Sequence, residues 1–278
     1  MFKIKPTFLI KLQGQDEFNI TDRLPNVEYL SGDSSPAFNN TYQDNTTRDG
    51  SRLTSVNFAK LIFTANFLLK SNDKYDQKLL RHEIFQMFGD RKLARFRTDA
   101  DLQKVMYARP ASFEIKFIAD GYLDSLFSIQ FEIPSGYKYS LERSEDVTVD
   151  DISFGMNFHL DEKPTYTQTA NSFRIYNPSD IAVDPYYQRH DLVLRIQFSG
   201  NSYQITNTTN GSSYKYNNGS NGADNIVLNG LSTILNGQPA SQNTDFGFIK
   251  LEKGWNDIMV QGATSHSTTF SFPFIYID

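Results

Sequence analysis

Residues Ser112–Ile133 read SFEIKFIADGYLDSLFSIQFEI. Early in this stretch Phe113, Ile115 and Phe117 alternate with Glu114 and Lys116. Late in it Phe127, Ile129, Phe131 and Ile133 alternate with Ser128, Gln130 and Glu132, and Ala119-Asp120-Gly121 supplies a turn between them. Successive side chains of an extended chain point to opposite sides, so period two marks a strand with one dry and one wet face. Two such runs around a glycine turn predict an antiparallel hairpin that buries one face.

The same period recurs outward in both directions. Val56, Phe58 and Leu61-Ile62-Phe63, continuing towards Phe67, read as strand. So do Phe173–Tyr176 before an Asn177-Pro178-Ser179-Asp180 turn, Leu192–Phe198 ending at Gly200, Ser202–Asn207, Asn225–Leu228 and Phe270–Tyr276. Phe248, Ile249 and Leu251, then a Lys253-Gly254 turn, then Ile258 and Val260 predict a further short hairpin with Trp255 at its tip. Only Ser71–Asp90 breaks the pattern. There Tyr75, Leu79, Leu80, Ile84, Met87 and Phe88 fall at helical spacing, predicting one amphipathic helix over about residues 73–88. Asn72 or Asp73 serves as its N-cap, and Gly89 as a left-handed C-cap.

The run PSGYKYSLERSEDVTVD from Pro134 is polar, opens on Pro and Gly, and lacks a sustained apolar face. It reads as a linker with a boundary near residue 145, giving domains 1–145 and 146–278. Strand density and Gly/Asn turns after the boundary predict a β-sandwich. Ser31–Arg52 and Thr208–Asn225 read as long polar loops, mobile or pinned by a partner.

The composition agrees with a mainly β protein. Of 278 residues, 14% are aromatic, with 23 Phe and 15 Tyr, which suit half-buried pleated surfaces. The net charge of −5 and the lack of a broad basic footprint argue against sequence-independent nucleic-acid binding. Cysteine is absent, which excludes disulfides and thiolate chemistry. No apolar run suits a membrane span or a signal peptide, so the expected site of synthesis is a cytoplasm. Asn-x-Ser/Thr sequons at Asn19, Asn45, Asn207, Asn210 and Asn218 reflect Asn/Ser/Thr-rich loops.

Chemistry-bearing motifs are scarce. His82, His159, His190 and His266 stand apart from one another, and no P-loop, His-Glu-x-x-His or Gly-x-Ser-x-Gly frame occurs. Asp150-Asp151, Asp161-Glu162 and Asp245 are candidate glycosidase carboxylates, but their spatial separation is not readable from sequence. Asp44, Asp49 and Asp224 lie in loops without a calcium-ligand frame. No catalytic, cofactor or metal site is expected, and no enzyme activity. The one binding candidate is Trp255, the only tryptophan. Its indole is either a sugar-stacking platform or a packing residue after a turn, and packing is the favoured reading.

Taken in order, these features resemble the distal tail protein family of siphophages. The carriers are DKYDQKLLRHEIFQMFGDRKLARFRTD, the Phe113 and Phe127 runs, NSFRIYNPSDIAVDP, ITNTTNGSSYKYN and FIKLEKGWNDIMV. The last holds Leu251, Gly254 and Asn256 in the family's Leu-x-x-Gly-x-Asn pattern. The resemblance implies a structural protein with no cofactor. Its N-terminal β-domain, with one helix, forms a hexameric ring joining the tail tube to the baseplate hub, with DNA only in transit through the lumen. Its C-terminal domain is a galectin-like β-sandwich near receptor-binding proteins. The implied partners are further copies of itself, the tail tube protein, the tail-associated hub or lysin protein and a receptor-binding protein, without a membrane. The implied location is the virion tail tip. About 130 residues after the boundary leave no room for an inserted carbohydrate module. The basic segment RKLARFR, with Arg91, Arg95 and Arg97, is expected to face the lumen or the tube. The alternative reading is a lectin-like module that contacts the host surface through Trp255.

Overall fold

The computed structural model describes residues 6–44, 47–152, 155–158 and 164–277. His159, the Asp161-Glu162 pair and the Asn45 sequon lie outside them. The chain divides into two compact units, Met1–Lys138 with Ile277–Asp278, and Tyr139–Tyr276.

The first unit contains β1 (Phe8–Lys11), β2 (Phe18–Asn19), α1 (Ile20–Arg23), β3 (Val27–Ser35), β4 (Phe38–Asp44), β5 (Ser51–Phe58), β6 (Leu61–Leu69), α2 (Lys74–Phe88), β7 (Ala94–Thr98), β8 (Lys104–Pro110) and β9 (Ser125–Ile133). Seven strands join in the order β2-β1-β7-β8-β9-β6-β3, while β4 and β5 pair only with each other. Alternation sets the buried face: Leu61, Phe63, Ala65, Phe67 and Leu69 of β6 point inward, as do Phe127, Ile129, Phe131 and Ile133 of β9. Phe8 of β1 lies 5.3 Å from Tyr29 of β3, although these strands are far apart in the sheet order. The sheet therefore curls around a shared aromatic core, where Phe8 also meets Phe96 and Phe131.

Asp73 caps α2, its Oδ1 accepting from the Tyr75 and Asp76 amides. Ile84, Met87 and Phe88 carry the helix onto the core, with Phe88 5.5 Å from Phe131. Tyr75 and Leu79, expected on that buried face, point to solvent instead. Gly89 is right-handed (φ −75°) rather than left-handed, because the helix ends on a tighter turn from the Gly89 amide to the Gln86 carbonyl.

The Phe113 run is not a strand. Its alternate side chains do turn inward, Ile115 fully and Phe113 against Phe85 at 5.0 Å, but residues 112–117 have no ladder partner. Alternation there reports an extended chain packed by side chains. The supposed loop Ser31–Arg52 is also mostly strand, comprising the end of β3 and all of β4.

The second unit is a β-sandwich of β10 (Lys138–Arg143), β11 (Thr167–Gln168), β12 (Ser172–Asn177), β13 (Val193–Asn207), β14 (Ser213–Tyr216), β15 (Ser220–Asn221), β16 (Ile226–Asn229), β17 (Ser232–Leu235), β18 (Gln238–Pro239), β19 (Gly254–Ser271) and β20 (Pro273–Tyr276). The polar run from Pro134, read as a linker, contains β10, which pairs with β20. Its Ser140 and Ser144 hydroxyls take part by bonding the Phe274 amide and the Phe270 carbonyl.

Strand β13 does not end at Gly200 but continues through it, bulged against β19. Gly200 (φ +148°) and Gly262 (φ +83°) face each other across the bulge. A Cβ on Gly200 would sit 2.7 Å from the Gly262 carbonyl oxygen, and one on Gly262 2.6 Å from Ser202 Oγ. The polar stretch Thr208–Asn225 likewise holds β14 and β15. The expected hairpin around Trp255 is replaced: Leu251 bridges Val183, and β19 pairs with β12 and β13.

Candidate functional site

Strands β4 and β5 form an arm separate from both larger sheets. Its root is fixed by the Ala59 amide bonding the Ala37 carbonyl at 2.8 Å, and by Phe58 packing 5.4 Å from Phe38 and 5.0 Å from Tyr137. The register pairs Phe38 with Phe58, Asn40 with Val56 and Tyr42 with Leu53 on one face. Asn39 with Asn57, Thr41 with Ser55 and Gln43 with Arg52 make the other. A bulge at Thr54, whose hydroxyl donates to the Thr41 carbonyl at 2.9 Å, keeps Tyr42 and Leu53 in line with Val56 and Phe38. The arm is thus amphipathic, yet Phe38, Tyr42, Leu53 and Val56 are each half exposed or more. One apolar face of a two-stranded sheet lies open to water, a pattern characteristic of surfaces that bind other chains.

The outer face of α2 is a second exposed patch. Tyr75, Lys78, Leu79, Arg81, His82 and Phe85 line an open groove of about 630 Å³. Arg81 lies over the Phe85 ring at 6.0 Å. A helix that is apolar on two sides is covered on one by its own core and leaves the other for a neighbour.

Trp255 is half-buried in β19 rather than displayed at a hairpin tip. Its cross-strand partner Tyr176 lies 5.0 Å away, and the Arg174 guanidinium carbon lies 4.5 Å from the indole centroid. A cation thus lies over one face of the indole. Asn256, next in sequence, is fully buried and ties the turn before it.

Two arginines of the basic segment RKLARFR are committed within their own unit. Arg95 and Arg97 both bind Glu17, at 2.8 and 2.6 Å, and the Arg91 carbonyl accepts from Arg109. Burial raises the Glu17 carboxyl, but the hydrogen bonds and charges of Arg97 and Arg95 outweigh it and hold the group below the usual carboxylate range. The three described histidines do not meet. His82 is exposed on α2, His190 is buried with Nε2 donating to the Pro273 carbonyl at 2.9 Å, and His266 bonds Thr268 and the Ala170 carbonyl. Asp151 accepts from Thr148, Asp224 from Asn236, and Asp245 from the Lys215 and Gly247 amides; each serves a local turn or loop. Among the described residues no three His, Asp or Glu groups converge, and no helix is long and apolar enough to cross a membrane.

Sequence reading has strand at Val56 and Phe58 but missed the rest of the arm, where Asn and Thr dilute the alternation. The signal was present in Phe38, Asn40 and Tyr42 against Leu53, Val56 and Phe58, once the bulge is allowed for.

Residues 15–133 match the family model of the phage tail protein RIFT-related domain. The chain is similar in fold to the Dit protein of phage SPP1, described as a paradigm of the hub adsorption apparatus in phages infecting Gram-positive bacteria. The two share 13% identity at a TM-score of 0.67, covering 96% of this chain and 99% of that one. Chains of the phage p2 baseplate in its activated conformation also align. With strontium the match has 9% identity, 96% and 97% coverage and a TM-score of 0.45; with calcium it has 10%, 97% and 98%, and 0.47. No curated protein matches the chain in sequence.

Proposed function

We propose that this chain, whose residues 15–133 match the phage tail RIFT-related domain and whose fold is like that of the SPP1 Dit protein, is a structural component of the virion tail tip. Copies close by rotation into a hexameric ring between the tail tube and the baseplate hub, with a lumen through which DNA passes. The first unit forms the ring and meets the tube protein and the tail-associated hub protein. The second, a sandwich we read as galectin-like, stands near receptor-binding proteins. The chain is made in the bacterial host cytoplasm and carries out no catalysis.

The supporting observation is the open apolar face of the arm. Burying Phe38, Tyr42, Leu53 and Val56 stabilises by about 1.5–3 kcal/mol per side chain when burial is complete. Unassembled, that face offers a fixed, rooted binding surface with no cover among the described residues. Repeated around a closed ring, the contact is counted once per copy, so a modest pairwise affinity suffices.

The test is mass by light scattering behind a sizing column, with negative-stain images of the peak. Six times the 31.8 kDa chain mass and a central hole are expected. The double variant Tyr42→Ser/Leu53→Ser, altered only on the outward face, should keep the fold and lose the ring. A wild type that stays monomeric at every concentration, alone and with its tube protein, would overturn the reading.

A further inference from the structure

Five Asn-Gly steps occur, at Asn210, Asn218, Asn221, Asn229 and Asn236. Glycine lacks the side chain that elsewhere shields its own peptide nitrogen. That nitrogen can attack the asparagine Cγ, closing a five-membered succinimide. Its proton leaves with the amide nitrogen as ammonia, and water then opens the ring to aspartate or isoaspartate. The reaction needs a carboxamide that can turn and a glycine N–H that is not held.

Four of the five steps are held. Asn210 accepts from the Ser212 amide and hydroxyl and donates to Lys250 and Glu252, while the Gly211 amide bonds the Asn207 carbonyl at 2.8 Å. Asn221 accepts from the Ala223 amide, and the Gly222 amide donates to Ser220 Oγ at 3.3 Å. The Gly230 amide, after Asn229, bonds the Leu192 carbonyl at 2.9 Å. Asn236 accepts from the Asn225 amide and donates to Asp224, both at 2.9 Å.

Asn218 differs. It is exposed, and among the described residues neither its carboxamide nor the Gly219 N–H has a hydrogen-bond partner. The chain is fixed immediately on either side, where the Asn217 amide bonds the Asn243 carbonyl at 2.8 Å and Ser220 pairs with Gly200. We propose that Asn218 is a self-modification site at which the folded protein deamidates selectively, with water the only co-reactant. Each event adds one negative charge, and the isoaspartate product adds a methylene to the main chain between two fixed points.

The test incubates the full chain in mildly alkaline buffer and follows conversion by site-resolved tandem mass spectrometry with an isoaspartate assay. In the folded protein Asn218 should convert at least about tenfold faster than Asn210, which reacts only through local opening. In urea that gap should close. The variant Asn218→Gln should lose the fast phase and keep the parent melting temperature. Equal folded-state rates at Asn218 and Asn210, faster conversion at Asn229 or Asn236, or a fast phase that survives in Asn218→Gln would each overturn the assignment.

Discussion

The side-chain amide of Asn207 donates to the Oδ1 of Asn256 at 2.8 Å, and both side chains are shut away from solvent. Asn256 Oδ1 also accepts the Glu252 amide at 2.8 Å, and its own amide donates to the Glu252 and Gly254 carbonyls. Asn207 donates again to the Lys250 carbonyl at 2.7 Å. Two side chains thus do what a strand ladder would have done for the turn before Trp255.

Replacing Asn256 with Leu keeps the bulk and strands buried donors on Glu252 and Asn207, each at about 1–3 kcal/mol. The expected loss is about 3 kcal/mol of unfolding free energy, read by denaturant titration of the full chain. Asn256→Leu/Asn207→Leu should cost less than the sum of its parts, because the two share a bond. Additive losses would show that the pair is not a unit.

Trp255→Ala removes the surface on which Arg174 and Tyr176 lie. We expect a destabilisation of about 2 kcal/mol and unchanged retention on immobilised glycans. Lost retention with an unchanged melting curve would reverse the assignment and make the indole a sugar platform.

Burial lowers His190 from 6.5 to about 4, against the raising effects of the Pro273 carbonyl and Asp191, with Arg143 lowering it further. The folded protein favours the neutral ring, so its contribution is complete above 6.5 and drains away as pH falls towards 4. Burial lowers His266 as well, against the Ala170 carbonyl bond, so its contribution has the same sign. Melting temperature should decline across this window, and His190→Gln should flatten the slope. An identical slope in the variant would remove His190 as its source.

Glu17→Gln leaves Arg95 and Arg97 facing each other without a carboxylate. Stability should fall by about 2 kcal/mol, since the group is mostly enclosed and binds both guanidinium groups. Glu114→Gln, at the fully exposed Lys116 pair, serves as the control and should leave the melting curve unmoved.

The strands legible in the sequence are those whose alternation is produced by one-sided burial. Phe127–Ile133 in β9 and Leu194–Phe198 in β13 are strands that turn alternate residues inward as expected, although β9 pairs with β6 and β8 rather than with the Phe113 run. Asp73, one of two candidate caps, is the cap of α2. Phe113–Phe117 shows why the same signal misleads: period two reports extension, whereas pairing depends on a neighbour the local pattern does not encode. The turn before Trp255 was misread because its bonds come from Asn256 and Asn207, 49 residues apart. The arm was hidden for another reason. Its apolar face has no counterpart among the described residues of this chain, so its pattern resembles a polar loop with stray hydrophobes.

Gly200 and Gly262 meet where neither position tolerates a side chain. Strands β13 and β19 are rich in Ser, Thr, Gln and Asn, whose similar sizes would let one strand slide two residues along the other with little change in side-chain fit. Such a slide would bring Phe198 or Ser202 to the Gly200 position, or Val260 or Thr264 to the Gly262 position, into space that admits only a hydrogen atom. The glycine pair works like the notch of a key: it fixes a single alignment for the longest strand pair in the protein. It also excludes the slipped conformers from which misassembled sheets grow.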